Sequence, residues 1–412
     1  MERPGRIVVV SADIGAGHDT AAAELARRLR GRGLVVDRLN LLELLPAPAR
    51  WAVREAYRGI LRSLPWCYDV LFNLTGRTRV SASVLRLLLR PVRRRMRRAI
   101  PPDTRAVVTT YPFANQLLGP LRRQGRLVVP VISYVTDFVV HPTWLAPGVD
   151  VYCAVRHAEV RPEGAADDVE VAVVQPLVSR AFAASAAVDR RNARQRFGLP
   201  PDERLALIVA GAWGAGDIAA TAAEVRATGS ARPVVVCGRN AELYERLRGR
   251  EHVFGWVDDM PTLMRAVDVV VENAGGLTCQ EALACGVPVV TYRPIPGHGR
   301  ANASILARSG LTRWVPGPDQ LGPVLAALFG EPDGERPDRA ADPGAHLRPA
   351  AAGRPSRPDL EPPTDPAGLV AEAASRAGSA GAEARGRRTV LDSVGDAVAV
   401  VAALLQSTGG PR

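Results

Sequence analysis

Two successive runs of strand–helix alternation constrain this chain more than anything else in it. Ile7–Val10, Leu34–Leu39, Arg105–Thr110, Val128–Val135 and Val151–Val155 read as buried strands, with a helix over Thr20–Arg32. The rhythm then restarts. Strands at Arg204–Ala210, Pro233–Cys237, Val253–Trp256, Val267–Glu272 and Pro288–Tyr292 alternate with helices at Ala219–Thr228, Ala241–Arg248, Met260–Ala266 and Thr278–Cys285. A βαβ rhythm predicts a parallel, doubly wound sheet. Two such units, joined near Gln175–Arg196, predict a cleft between them, because ligands of these sheets sit outside the carboxyl ends of the strands. A chain of 412 residues is also too long for one ordinary core.

The expected organisation is an N-terminal domain over 1–180 and a second over 181–330. From 331 to 388 Pro, Ala, Gly, Arg and Asp dominate, a composition that cannot bury enough apolar surface to order itself. Thr389–Leu405 turns apolar again and reads as a terminal helix docking back on the body. The five cysteines form no Cys-x-x-Cys pair, so neither a disulfide framework nor a zinc site is expected, and a reducing cytoplasm fits. The N-terminus runs directly into a strand and lacks the features of a signal peptide. No stretch of about 18 uncharged apolar residues occurs, so no membrane span is expected.

Net charge is +11, and every basic residue is arginine. Any basic contact to phosphate is therefore a guanidinium fork rather than a lysine point charge. Charge of this sign favours anionic partners. No recognisable nucleic-acid module accompanies it, so nucleic acid is not expected as a partner.

Three clusters carry the chemistry. The first strand ends in Ser11-Ala-Asp-Ile-Gly15-Ala-Gly17-His18. Gly15 and Gly17 permit a tight turn into a helix N-terminus. His18 there reads either as a packing histidine or as a general base. The second cluster is Thr136-Asp137 with His141-Pro-Thr-Trp144. Asp137 and His141 either cap turns or line the cleft, where Asp137 would orient an imidazole. The third is Glu272-Asn-Ala-Gly275-Gly276-Leu277-Thr278-Cys-Gln-Glu281. Thr278 and Glu281 have the spacing of a capping box, while the loop amides and helix dipole suit a pyrophosphate and Glu281 a ribose. No zinc-like ligand pair occurs, and no metal or other cofactor is expected.

These residues, with Cys237-Gly-Arg239-Asn240, Gly286-Val-Pro288, Pro294-Ile-Pro-Gly297 and Asn302, make the chain resemble the monogalactosyldiacylglycerol synthase and processive diacylglycerol glucosyltransferase group over roughly residues 5–315. That group is related to the lipid-linked N-acetylglucosaminyltransferase of peptidoglycan synthesis. The resemblance implies a GT-B fold of two facing Rossmann-like domains and an inverting, metal-independent transfer from a UDP-sugar. The lack of any Asp-x-Asp sequence fits that. By the resemblance, His18 is the base for the acceptor hydroxyl or lies beside it. Gly15, Gly17, His141 and Trp144 lie on the acceptor side. The Gly211–Gly216 loop, with Gly214, and Gly275-Gly276 cradle the diphosphate. Phe254 to Val257, with Trp256 and Val257 as contacts, flank the uracil, Glu281 holds the ribose and Arg239 neutralises phosphate. Two departures stand out. His298-Gly299 replaces the family's Gln-Glu at the donor sugar, and Trp213 interrupts a glycine-rich loop.

The segment Val84–Arg98 places Val84, Leu85, Leu88, Val92 and Met96 on one helical stripe, with arginines elsewhere. It reads as a helix for an anionic membrane surface, or as a core helix with a solvated basic face. Pro91 predicts a kink. The expected enzyme is a peripheral protein of the inner membrane face that glycosylates a lipid. A soluble acceptor, or nucleotide-sugar binding without transfer, is the alternative.

Overall fold

The computed structural model describes residues 5–14, 16–63, 70, 72, 89–158, 170–209, 211–250, 252–330 and 390–407. Gly15, Val84–Leu88 and the 331–388 segment lie outside the described residues.

Two parallel sheets organise the chain. The first holds β1 (Arg6–Ser11), β2 (Val35–Asn40), β3 (Thr104–Thr109), β4 (Val131–Val135), β5 (Val151–Val155), β6 (Val171–Val174) and, from the far end of the sequence, β13 (Val390–Gly395). Its order is β13-β6-β5-β4-β3-β1-β2. The second sheet runs β12-β11-β10-β7-β8-β9, from β7 (Leu205–Val209), β8 (Arg232–Val236), β9 (Val253–Phe254), β10 (Val269–Glu272), β11 (Val289–Tyr292) and β12 (Arg313–Val315).

The near-continuous Val/Ile/Leu runs are explained by burial on both faces, as a parallel sheet requires. Along β1, Ile7 and Val9 enter one core cluster and Val8 and Val10 another. Along β7, Leu205, Leu207 and Val209 face one way, and Ala206 and Ile208 the other. The side-chain period of two therefore distributes each strand between two apolar layers. Helices cover both faces: α1 (Ala16–Arg30), α2 (Ala47–Ser63), α3 (Arg90–Ala99) and α4 (Pro112–Arg123) in the first half. The short α5 (Arg180–Ser185) and α6 (Arg190–Arg196) follow, then α7 (Ile218–Ala227), α8 (Ala241–Leu247), α9 (Met260–Ala266), α10 (Leu277–Ala284), α11 (His298–Arg308) and α12 (Pro318–Gly330).

Strand order places the two switch points. β1 lies between β2 and β3, and β7 between β8 and β10. The loops after β1, β7 and β10 are therefore the ones available to ligands.

Two expectations need correction. Thr389–Leu405 is not one helix: β13 pairs in parallel with β6, and α13 (Ala397–Ser407) follows it. Val398, Val401 and Leu404 of α13 join the core, and Arg28 approaches Asp396 at 3.9 Å. The chain enters α11 at His298 behind Gly297, whose φ of +69° a glycine adopts without strain. Pro91 does not kink a helix. It sits in the first turn of α3, where a missing N–H costs nothing. Of the two readings of the Val84–Arg98 stripe, the described part fits the core helix with a solvated basic face: Val92 and Met96 are buried in the first half's core. Only the arginine face of α3 remains at the surface.

Candidate active site

The β1 loop delivers His18 to the first turns of α1. Its neighbours come from β3 and β4. Thr110 donates its hydroxyl to the His18 carbonyl at 2.9 Å. Thr136, just after β4, places its Oγ1 3.0 Å from His18 Nδ1. Tyr111 meets the imidazole edge-on with ring centroids 5.1 Å apart, and Trp144 lies at 5.9 Å. Desolvation lowers the His18 pKa, with the nearby Asp137 carboxylate opposing it.

Asp137 was expected behind the imidazole. Its Oδ2 instead accepts the indole N–H of Trp144 at 3.0 Å, and Thr136 takes the place at Nδ1. Asp137 acts on the imidazoles through its field, which reaches His18, His141 and His298. His141 is buried, with both ring nitrogens engaged. Nε2 lies 2.9 Å from the Phe72 carbonyl, which only accepts, so Nε2 carries the proton. Nδ1 then accepts from Thr143 Oγ1 at 2.8 Å and caps the turn Pro142–Trp144. His141 and Trp144 thus support the loop from below, Trp144 being almost fully buried.

Across from His18 lie the loops of the second sheet. A Cβ on Gly17 would come within 3.9 Å of Leu277 Cβ, so the β1 loop and the start of α10 are in near contact. Asn273 binds the loops after β7 and β10 together, its Nδ2 donating to the Ala215 carbonyl at 2.8 Å. At Gly216, with φ of +91°, a Cβ would lie 2.5 Å from that same nitrogen, so only glycine fits. The Gly211–Gly216 loop is held from the other side by Arg239 N–H to the Ala212 carbonyl at 2.7 Å and by Asn240 Nδ2 to the Trp213 carbonyl at 3.2 Å. Gly214 keeps a φ of +59° against Asn240 and Leu243. Trp213 reaches across to Tyr57 of α2, ring centroids 5.8 Å apart.

Glu272 was named at the head of the third cluster, but its role was not legible in the sequence. Its buried carboxylate accepts from Ala274 N at 2.8 Å and Gly275 N at 2.5 Å. Thr291 Oγ1 donates to it as well, at 2.6 Å. Those two loop amides therefore turn inward. The amides left for an anion are those of Gly276, Leu277 and Thr278 at the start of α10, where intrahelical partners are lacking. A glutamate after three consecutive valines, Val269–Val271, reads simply as the end of a strand, so no sequence signal marked its role.

Thr278 and Glu281 do not form a capping box. Gly276 is the N-cap, Thr278 is already helical, and no side chain caps the helix. Glu281 lies half-buried one turn further on, and desolvation pushes its carboxyl up to about 8 from 4.5. A carboxyl raised in the folded state stabilises below its ordinary pKa, and that contribution is lost as pH rises through the raised value. Wild-type thermal stability should therefore fall between pH of about 4.5 and about 8. Glu281→Gln should flatten that part of a Tm-versus-pH profile. An unchanged slope would show that Glu281 is not desolvated.

Arg239 stacks on Trp256, the guanidinium carbon 4.3 Å from the ring centroid. The indole N–H donates to Asp258 at 2.8 Å, and half of Trp256 is exposed. Val257, beside it, is half-buried and packs against the core. Arg239 and Trp256 make a flat, open platform beside the Gly211–Gly216 loop. His298 opens α11, within the field of His18 and Asp137. Gly299 leaves no room for a side chain, since a Cβ would sit 2.6 Å from Ile295 Cγ1 and 3.0 Å from the Asn273 carbonyl. A glutamate at that position is sterically excluded. Among the described residues no group of three or more His, Cys, Asp or Glu is placed to hold a metal ion.

Two facing parallel sheets, with a histidine loop on one side and glycine-rich loops on the other, define the GT-B fold. The family model of monogalactosyldiacylglycerol (MGDG) synthase matches residues 18–176, and that of glycosyl transferases group 1 matches 213–311. A processive diacylglycerol beta-glucosyltransferase of Bacillus cereus is 26% identical over 344 residues, which cover 75% of this chain and 82% of the relative. Among solved structures, Arabidopsis thaliana UGT89C1 complexed with quercetin has a TM-score of 0.51 at 14% identity, covering 81% of this chain and 92% of its own. A Siraitia grosvenorii transferase in complex with UDP also reaches 0.51, at 14% identity, with 80% and 92% covered. The chain is a GT-B glycosyltransferase resembling the monogalactosyldiacylglycerol synthase and processive diacylglycerol glucosyltransferase group.

Proposed function

We propose that this enzyme moves a hexose from a UDP-sugar to the hydroxyl of a lipid such as diacylglycerol. The transfer inverts the anomeric carbon, uses no metal, and takes place at the cytoplasmic face of the membrane. The observation that carries the reading is His18, its Nδ1 held by Thr136 and its loop abutting the start of α10. When the Thr136 hydroxyl accepts from Nδ1–H, the Nε2 lone pair is free for a proton. Nε2 then takes the proton of the acceptor hydroxyl as its oxygen bonds to the anomeric carbon. The bond from that carbon to the β-phosphate oxygen breaks on the opposite face, and UDP leaves with the electron pair. The first amides and dipole of α10, with Arg239, stabilise the charge that develops on the diphosphate. Trp256 offers the uracil a stacking face, and Glu281 the ribose a hydrogen-bonding partner.

The names of the Bacillus relatives and of the N-terminal family model support a lipid acceptor. So does the surface formed by α2 and α3. Trp51 is 67% exposed, and Arg90, Arg94, Arg95, Arg97 and Arg98 are exposed on α3. No helix among the described residues is long and apolar enough to cross a membrane, so contact with lipid would be interfacial. The test is turnover of UDP-glucose, UDP-galactose and UDP-N-acetylglucosamine with diacylglycerol, in anionic and in zwitterionic vesicles. A lipid-linked sugar from one donor, formed faster on anionic vesicles, is the expected result. UDP binding with no glycolipid from any donor would overturn the lipid acceptor and favour a soluble one.

A further inference from the structure

Asn302 lies on α11, in the second half of the chain, with no solvent exposure. Its Oδ1 accepts two backbone N–H groups of the first half, Phe138 at 3.1 Å and Val139 at 2.9 Å. Its Nδ2 donates to the Ala274 carbonyl at 3.2 Å. Two donors on one side and a carbonyl on the other leave the amide a single orientation. Gly275 makes the approach possible, because a Cβ there would lie 2.7 Å from Asn302 Cβ. Gln280 of α10, also buried, donates to the Thr136 carbonyl at 3.4 Å. Two buried amides thus hold the segment Thr136–Val139 against the donor side. That segment carries the hydroxyl bonded to His18 and the carboxylate bonded to Trp144.

We propose that Asn302 is a positioning residue that couples the loop at Ala274–Gly275 to the segment holding the base, so that a nucleoside diphosphate on the donor side sets the alignment of His18. The proposal rests on the donor site described above. A buried side-chain amide linking two backbones moves as one unit with both, since leaving any of its partners unpaired is costly. When the diphosphate draws the start of α10 and its preceding loop into one position, Asn302 transfers that position to Phe138 and Val139. Thr136 and the imidazole follow.

The test is amide hydrogen exchange on the full chain with and without UDP, for wild type, Asn302→Ala and Asn302→Asp. In wild type, UDP should slow exchange over 273–281 and also over 136–141, the latter by about tenfold, a factor typical of coupling between sites. In Asn302→Ala the first effect should remain and the second shrink to a small remainder, carried by Gln280 and its bond to the Thr136 carbonyl. Transfer should fall about 100-fold in kcat, as expected for a misplaced catalytic group, with the KM for the donor little changed. Asn302→Asp keeps both acceptor bonds to Phe138 and Val139 and, at a pH where its carboxyl is ionised, sets an oxygen against the Ala274 carbonyl in place of the donor. It should fold and be uncoupled in the same way. A merely structural role would lower Tm and leave the UDP response of 136–141 in place, and that result overturns the proposal. Wild-type protection confined to 273–281 overturns it too. If UDP protects neither segment in wild type, the donor site itself has been misassigned.

Discussion

Replacing His18 by alanine should lower transfer about 1,000-fold, within the range for loss of a general base, while UDP affinity stays unchanged. The separation follows from position. His18 is held by Thr110, Thr136, Tyr111 and Trp144, all from the first half of the chain. The stacked pair of Arg239 and Trp256, proposed to hold the donor, belongs to the second half. The pH dependence follows from burial. Desolvation lowers the imidazole pKa from 6.5, and a base works only when neutral. Activity should therefore fall as pH drops, with the midpoint of the acid limb of kcat/KM below 6.5. Asp137 opposes the shift, so Asp137→Asn should move that limb to still lower pH. A limb that moves upward, or His18→Ala with near-normal kcat, would remove His18 from the role of base.

The double βαβ rhythm was legible because β-branched runs buried on both faces leave a pattern that survives in one dimension. Strands β1, β5, β7 and β10 lie within two residues of where periodicity put them. The glycine loops were legible for the same reason, since a positive φ at Gly214, Gly216 or Gly275 restricts residue type locally. What stayed hidden depends on partners distant in sequence. The apolar residues at Val390–Val394 have a strand's composition but no local signal saying that β6, more than 200 residues earlier, is their neighbour. The stripe of α3 shows amphipathicity without saying whether its apolar face meets lipid or core. Thr136 and Asp137 are adjacent, and sequence favoured the carboxylate as the more familiar partner of an imidazole. Direction along the end of β4 decided for the hydroxyl. Asn302 was visible as part of a motif, but its two acceptor bonds to the other half of the chain were not.

Glu272→Ala should be the most damaging change on the donor side. The carboxylate satisfies three donors, Ala274 N, Gly275 N and Thr291 Oγ1, in a place that is 3% exposed. Alanine leaves all three without an acceptor and opens a void. At about 1–3 kcal/mol for each buried unsatisfied group, the loss of stability should be at least about 3 kcal/mol in urea unfolding. The backbone N–H groups of Ala274 and Gly275 would then turn toward other acceptors. The loop that fixes the start of α10 would lose its shape, and UDP affinity should fall with it. Glu272→Gln separates charge from geometry. Its Oε1 can take the two amides, and its Nε2 can donate to the Thr291 hydroxyl, which then acts as acceptor. Burial already raises the carboxyl pKa, so the charge itself is held at a cost that Gln removes. The Gln variant should keep most of the stability and most of the UDP affinity. If alanine and glutamine are equally harmful, the negative charge and not the hydrogen-bonded shape organises the loop. If neither is harmful, the loop is ordered from elsewhere, through Asn273 and its bond to Ala215.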